Sequence, residues 1–360
     1  MKKLLYIGHS FHNKTKSSKF IQNILEAKYD FVKFDYDPYV DAFGKFKVLD
    51  EQEYDIVVLW QVMPDISKLR KYLKFDKIAF FPMYDGVPRL SDPLWNEYRE
   101  CNIINFSKTL HEECKKYGLS SYYIQYFPEL AEIKNMGDEK SVFLWQRREE
   151  INSDIVEKTL GIENINYLYH HQVPDPDEEL KIPSKNFEGK VKVSTWFDTK
   201  DDMNNYMQEC AIYFAPRKLE GIGMSFLEAM ALGRCVIAPD FPTMNEYIQN
   251  GVNGYLYKSP KHPKKIEIQN VRKIQENARK YIEDGYKKWE QDKFKILDWI
   301  ESDVKSNSNE KLMNEKLNVK KSKKISITLL KKVYTNNCIT FYLFSLIPIF
   351  KIKQKAKESE

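Results

Sequence analysis

Short, unbroken apolar runs separated by helical patterns recur along most of this chain, and they are the feature that most constrains its fold. An apolar run without polar alternation is typical of a strand buried on both faces, as in parallel sheets covered by helices. In the first half such runs lie at Leu4–Ile7, Asp55–Trp60, Ile78–Phe81, Ile103–Phe106 and Tyr122–Phe127. The second half repeats the pattern at Ser141–Trp145, Tyr167–His170, Val191–Trp196, Ile212–Ala215, Cys235–Ala238 and Gly254–Tyr257. The sequence therefore predicts an α/β fold with two consecutive βα arrays.

Two such arrays predict two Rossmann-like domains facing each other across a cleft, and a chain of 360 residues is long enough for both. We place an N-terminal domain at residues 1–135 and a second domain at 140–270. A helical pattern predicts a C-terminal helical segment at 271–302, followed by a basic linker and tail at 303–360. Ligands of open α/β sheets lie at the carboxyl ends of the strands, so we expect the site in the cleft.

The segment from Ile212 to Tyr257 carries the clearest chemical pattern. An apolar strand leads into a loop with two glycines, Gly221 and Gly223, and a helix begins near Ser225. This arrangement directs free backbone N–H groups and the positive end of a helix at an anion. Two carboxylates, Glu220 and Glu228, flank that point, and a carboxylate suits a ribose diol or the hydroxyls of a sugar.

The full string from Ala215 to Tyr257 resembles the donor-site signature of the large retaining family of GT-B glycosyltransferases (glycosyltransferase group 1, family 4-like). It reads P-x-x-x-E-G-x-G-x-x-x-x-E-A-M-A-x-G-x-x-V-I-A, then E-x-x-x-x-G-x-N-G-x-L. The resemblance implies a GT-B fold and transfer of a sugar from a nucleotide-sugar, with retention of configuration. It also implies a donor-binding set consisting of Glu220 at the sugar, Glu228 at the ribose, and Gly221, Gly223, Ser225 and Glu246.

The residues that would supply positive charge to the donor diphosphate match the family pattern less closely. The first strand of the family's donor domain ends in Gly-Arg with a Lys five residues later. Here Gln146 replaces the glycine, Arg147 retains the charge, and Asn152 stands in place of the lysine. We expect Arg147 to bind the donor, with Arg217 or Lys218, which lie close to Glu220, as the second cation.

On the acceptor side, the family often carries a strand that ends in His-Asp. Here Tyr84 stands in place of the histidine and Asp85 is retained. Asp85 could orient or deprotonate the acceptor hydroxyl as a catalytic residue beside Glu220. The alternative is a plain Asp-Gly turn after a strand.

The loop Gly8–Ser18 lies at the carboxyl end of the first predicted strand and so faces the predicted cleft. His9, Lys14 and Lys16 could meet phosphate or an acidic acceptor. The alternative is a solvated basic loop.

We expect neither a metal nor a cofactor, because arginine, lysine and a helix end neutralise the diphosphate in a two-Rossmann transferase. Asp175-Pro-Asp177 matches the D-x-D of metal-dependent transferases of another fold, but its polar, proline-containing context predicts a solvated turn. We interpret Asp35 and Asp37 in the same way. The five cysteines show no C-x-x-C spacing, so we expect buried, reduced thiols in a cytosolic protein.

The tail from Lys311 to Glu360 carries 12 Lys and 3 Glu, whereas the net charge of the whole chain is +5, so the body is mildly acidic. Within it, Ile339–Phe350 is rich in apolar residues, too short to span a bilayer, and flanked by lysines. These features favour an interfacial anchor on anionic lipid through residues 331–357 rather than nucleic acid binding. A segment packed on the body is the alternative.

Together these features predict a cytoplasmic protein, peripheral on the inner face of the membrane, that glycosylates a lipid-linked or saccharide acceptor. Surface polysaccharide or lipooligosaccharide synthesis in bacteria is the expected setting. A nucleotide-sugar epimerase or a phosphorylase would have the same fold. A non-catalytic nucleotide-sugar-binding or scaffold subunit is the other alternative, which the replaced histidine and lysine favour.

Overall fold

Two six-stranded parallel sheets form most of the protein in a computed structural model. The structure describes residues 1–37, 46–49, 52–90, 93–175, 178–304, 330–335, 338–343 and 347–353. It confirms the predicted α/β class and the two Rossmann-like sheets. The order of the elements along the chain is the alternation that the apolar runs predict, since each buried strand needs a covering helix on either face.

The first sheet has the order β2-β1-β3-β4-β5-β6, and all its pairs are parallel. Its strands are β1 Lys3–Gly8, β2 Asp30–Asp35, β3 Glu53–Trp60, β4 Lys74–Phe81, β5 Asn102–Asn105 and β6 Ser121–Tyr123. The helices between them are α1 Phe11–Thr15, α2 Lys19–Glu26, α3 Ile66–Tyr72 and α4 Lys108–Lys116, with a 3-10 helix at Pro93–Glu100.

The second sheet has the order β12-β11-β10-β7-β8-β9 and is parallel throughout. Its strands are β7 Asp138–Trp145, β8 Leu168–His171, β9 Val191–Ser194, β10 Cys210–Phe214, β11 Cys235–Pro239 and β12 Tyr255–Tyr257. Its helices are α5 Ser153–Leu160, α6 Lys200–Met207 and α7 Met224–Ala231. The side chain of Asn152 caps α5 by accepting from the Asp154 and Ile155 amides at 3.0 and 3.4 Å.

Two C-terminal helices follow, α8 Val271–Asp292, which packs against α7, β10 and β11 of the second domain, and α9 Lys295–Glu301, which packs on β4 and β5 of the first sheet. The ring of Trp289 packs edge-on against Tyr126 at a centroid distance of 5.2 Å. At the end of α9, the carboxylate of Glu301 accepts from Lys2 Nζ at 2.6 Å and from Tyr29 Oη at 2.9 Å. The end of α8 and the whole of α9 therefore pack on the N-terminal domain, although they follow the second domain in sequence.

Residues Ser308–Glu360 form a separate unit. Its described strands, β13 Leu330–Thr335, β14 Cys338–Leu343 and β15 Ile347–Lys353, pair antiparallel in the order β13-β14-β15. Most of the predicted linker and the last lysines of the predicted membrane segment lie outside the described residues. Within the described part of the chain, no helix has the length and apolarity needed to cross a membrane.

Three local predictions were wrong. Strand β2 was not predicted, because charged residues interrupt its Phe and Val residues, as on a partly exposed edge strand, and Asp35 ends this strand instead of lying in a turn. The first loop contains the short helix α1. The long C-terminal helical pattern is divided into α8 and α9 at Lys293–Phe294.

Candidate functional site

Charged side chains from four strand ends converge at the carboxyl edges of the two sheets. Asp85 follows β4 of the first sheet, Arg147 follows β7, Asp175 follows β8, and Arg217 follows β10. Since parallel strands point the same way, their carboxyl ends bring residues distant in sequence to one edge. This edge is where the sequence predicted the site.

Arg217 is the centre of this cluster. Its Nη1 lies 2.9 Å from Asp85 Oδ2 and 3.8 Å from Glu220 Oε2, and its Nη2 lies 3.3 Å from Asp175 Oδ2. The Arg217 side chain is only 18% exposed. Burial opposes its charge, yet the carboxylates of Glu220, Asp85 and Asp175 together raise the pKa of Arg217 above its usual value. The structure therefore places the predicted second cation against the predicted acceptor-side carboxylate.

The prediction of a solvated turn at Asp175 was wrong, while Asp177 lies outside the described residues. The Asp175 side chain is 12% exposed, and three guanidinium groups contact it. Arg147 Nη2 lies 2.7 Å from Oδ1, and Arg148 Nε lies 3.0 Å from Oδ2, the oxygen that also faces Arg217. Because β8 ends at His171, Asp175 lies in the loop after the strand, at the edge of the sheet where the arginines lie.

Glu220 is buried in the loop between β10 and α7. Burial raises the pKa of its carboxyl to about 7, Arg217 opposes that rise, and the nearby Asp85 adds to it. Burial likewise raises the pKa of Asp85, with Arg217 again opposing. The backbone here is fixed by Thr243, whose buried hydroxyl contacts the carbonyls of Glu220 and Gly221 at 2.6 and 3.0 Å. A buried carboxyl held on a fixed loop can bind a sugar hydroxyl in a defined position.

The two glycines of the loop serve different purposes. A Cβ added to Gly221 would lie 2.6 Å from Met83 Cβ and 2.9 Å from Asp85 Oδ1, so this position permits close contact with the turn after β4. Gly223 has φ +79° as the N-cap residue of α7, a conformation that glycine adopts without strain. No side chain caps α7, so its first amides are open to an anion.

Glu228 lies in α7, one turn beyond its start. Its side chain is 18% exposed, and Oε1 lies 2.6 Å from Nζ of Lys200, the first residue of α6. Ser225 is half-buried on the same helix. The Tyr213 side chain is fully buried, and burial raises the pKa of its hydroxyl, with the Ser225 side chain opposing that rise.

Glu246 contacts the N-terminal domain. Its carboxylate accepts from Ser107 Oγ and the Thr109 amide at 2.9 Å, and from the Lys108 amide at 2.6 Å. These donors form the first turn of α4, where the helix dipole favours a negative charge. In the structure, Glu246 joins the second domain to α4 of the first.

The remaining predicted residues lie around the cluster. Lys218 Nζ lies 4.7 Å from the centroid of the Phe241 ring. His9 Nδ1 accepts from the Phe11 amide at 3.0 Å, and its Nε2 lies 3.8 Å from Asp37 Oδ1. Lys16 is exposed in the left-handed conformation after α1, and Lys14 lies within α1, its side chain outside the described part. Among the described residues, no three His, Cys, Asp or Glu are grouped for a metal.

Sequence reasoning missed Arg148, Asp175, Lys200 and Thr243. Arg148 was detectable as a second arginine immediately after Arg147, and Asp175 as an acidic residue just beyond a strand end. Lys200 and Thr243 carry no local signal, because only the fold brings them to Glu228 and to the Glu220 loop. Four predicted reduced cysteines, Cys101, Cys114, Cys210 and Cys235, are confirmed as free and buried.

The family model described as "Glycosyl transferases group 1" matches residues 176–288. This segment contains Arg217, Glu220, Glu228 and Glu246, whereas Asp85 and Arg147 lie before it. No curated protein matches the chain.

Solved structures resemble this fold at low sequence identity. Sucrose-phosphate synthase from Thermosynechococcus elongatus has a TM-score of 0.57 at 12% identity, with 83% of this chain and 98% of that chain covered. Anabaena Alr3699/HepE in complex with UDP has a TM-score of 0.55 at 12% identity, covering 82% and 99%. The pneumococcal O-GlcNAc transferase GtfA in complex with UDP and GlcNAc has a TM-score of 0.52 at 15% identity, covering 72% of this chain and 60% of its own. These likenesses establish the GT-B fold.

Proposed function

We propose that this chain, which has the GT-B fold and a glycosyl transferases group 1 match over residues 176–288, is a glycosyltransferase that transfers a sugar from a nucleotide-sugar donor to a lipid-linked or saccharide acceptor. The observation that carries the proposal is the convergence of Arg147, Arg217 and Glu220 beside the uncapped start of α7.

The donor diphosphate is assigned to the space between the arginines and the first amides of α7. Guanidinium groups bind phosphate oxygens through paired, charge-assisted hydrogen bonds, and the helix end adds partial positive charge. Both groups stabilise the negative charge that develops on the leaving diphosphate, and such stabilisation is usually the largest catalytic contribution of a site.

Glu228 is assigned to the ribose and Glu220 to the transferred sugar. Glu228 lies within α7, one turn beyond its start, and its partner Lys200 is 61% exposed, so the lysine can move aside. Glu220 lies 3.8 Å from Arg217, and the next residue, Gly221, leaves no room for a Cβ beside Met83 and Asp85 in the turn after β4. Asp85 is therefore assigned to the acceptor hydroxyl, with retention of configuration and no covalent intermediate on either glutamate.

UDP-sugars are the first donors to examine, because two proteins of similar fold are described in complex with UDP. A thermal-shift panel of UDP-, GDP-, dTDP- and ADP-sugars tests donor binding directly, since stabilisation grows as RT ln(1 + [L]/Kd). The proposal expects one nucleotide class to raise the melting temperature, and expects Glu228→Gln to remove that rise. No shift with any donor would contradict it.

The proposal of a lipid-linked acceptor rests on the C-terminal tail, in which lysines flank an apolar segment. A membrane-associated transferase of this type would use a lipid-linked acceptor in surface polysaccharide or lipooligosaccharide synthesis. Changing Lys351, Lys353, Lys355 and Lys357 to glutamate should reduce sedimentation with acidic liposomes while leaving donor hydrolysis intact. Equal sedimentation of both proteins would remove the membrane from the proposal.

A further inference from the structure

Three guanidinium groups share one carboxylate at the proposed diphosphate site. Asp175 Oδ1 accepts a hydrogen bond from Arg147 Nε at 2.9 Å and lies 2.7 Å from Arg147 Nη2. Its Oδ2 lies 3.0 Å from Arg148 Nε and 3.3 Å from Arg217 Nη2. These arginines come from two different loops, after β7 and after β10. A single carboxylate with two oxygens therefore occupies the point on which a three-arginine anion site converges.

The same point is suited to a larger anion. A diphosphate offers more acceptor oxygens than a carboxylate, and arginine forks match phosphate geometry well. The side chains of Arg147, Arg148 and Arg217 are 19%, 33% and 18% exposed, so water screens the site only partly. Two anions cannot occupy it together, because the charges of the carboxylate and the diphosphate repel each other at short range.

We propose that Asp175 is a built-in stand-in for the donor diphosphate, and that donor binding displaces its carboxylate from Arg147, Arg148 and Arg217. Asp175 then competes with the diphosphate for the three arginines and so lowers the affinity for the donor. This inference rests on the proposed function, because it assigns the arginines to the diphosphate of the donor. It also assigns Arg148 and Arg217 to the diphosphate as cations. In the family pattern a lysine has this role, and Asn152 stands in its place here.

Displacement of the Asp175 carboxylate would also affect Asp85 on the acceptor side, because Arg217 contacts both residues. Its Nη1 contacts Asp85 Oδ2 at 2.9 Å while its Nη2 faces Asp175. When the diphosphate replaces Asp175, Arg217 joins the donor phosphate to Asp85. Donor arrival is thereby linked to the position of the proposed acceptor-side carboxylate.

Inorganic pyrophosphate tests this inference, because it probes the anion site without a base or a sugar. Isothermal titration at low ionic strength should give roughly tenfold tighter pyrophosphate binding to Asp175→Asn than to the unaltered chain, since the competing anion is gone. Glu163→Gln is the matched control. It also removes one carboxylate, which pairs with Lys265 near the amino end of β8, and it should leave pyrophosphate affinity within about twofold.

Equal or weaker binding to a folded Asp175→Asn protein would overturn the inference, because it would show that Asp175 only holds the arginines in place. If that variant does not fold, Asp175→Glu retains the charge but moves it along by one methylene. It should bind pyrophosphate roughly threefold tighter, and equal or weaker binding would again overturn the inference. Donor turnover with unchanged pyrophosphate affinity in the variants would overturn this inference alone, whereas tighter pyrophosphate binding without any donor turnover would contradict only the proposed function.

Discussion

Nη1 of Arg217 lies 2.9 Å from Oδ2 of Asp85, and this ion pair joins the two domains at the candidate site. Arg217 lies within the segment that matches the transferase family, whereas Asp85 belongs to the first sheet. The pair therefore connects the proposed donor side to the proposed acceptor side through one guanidinium group.

Arg217→Gln should weaken donor binding by roughly tenfold to a hundredfold, because it removes a charge-assisted contact to the diphosphate. Lys218→Gln is the matched control. Lys218 lies over the Phe241 ring, so its loss should change the dissociation constant by less than about threefold. Isothermal titration with the donor found in the thermal-shift panel measures both, and equal effects would contradict the assignment of Arg217.

Gly221→Ala should lower both stability and turnover, because the added methyl group would lie 2.6 Å from Met83 Cβ. The expected loss of unfolding free energy is about 1–3 kcal/mol, typical of overpacking. Gly86→Ala, in the turn that Gly221 contacts, has no atom closer than 3.8 Å to its new methyl group and should be nearly neutral. Urea unfolding of the two variants compares them, and a neutral Gly221→Ala would show that the domains do not pack here.

Glu220 predicts a specific dependence of stability on pH. Burial raises the pKa of its carboxyl in the folded protein to about 7, above the ordinary value of 4.5. The stability that it contributes is therefore fully present below about pH 4.5 and is lost as the pH rises through 7. Relative to Glu220→Gln, the unaltered chain should lose on the order of 2 kcal/mol of unfolding free energy between pH 5 and pH 8, because its Glu220 carboxyl becomes charged. A difference independent of pH would show that the Glu220 carboxyl titrates normally.

Glu246→Gln should cost stability rather than donor affinity. Its carboxylate accepts three hydrogen bonds at the start of α4, and loss of the charge there should lower the unfolding free energy by about 1–2 kcal/mol. Thermal unfolding and donor titration separate the two effects. A large loss of donor affinity with unchanged stability would instead support the ribose-side role that the family pattern implies.

The fold and the donor half of the site followed from the sequence because both are encoded locally. Buried strands appear as apolar runs, and the loop from Arg217 to Gly223 lies in one continuous segment with Glu228. The edge strand β2 was missed because it is partly exposed and charged residues interrupt its apolar ones.

The rest of the site depends on contacts between distant segments. Asp175 reads as part of a polar, proline-containing loop, and only the sheet order shows that its carboxylate meets arginines from two other strand ends. The cap that Glu246 makes on α4 spans more than 130 residues, so no local pattern predicts it.

The most direct test of the account is the release of nucleoside diphosphate from the UDP-, GDP-, dTDP- and ADP-sugar panel. We predict that the unaltered chain turns over one donor class. Glu220→Gln should lower the rate at least roughly a hundredfold with donor binding largely retained, and Glu228→Gln should weaken donor binding itself. A chain that binds a donor but releases no diphosphate, or a Glu220→Gln variant as fast as the unaltered chain, would contradict it.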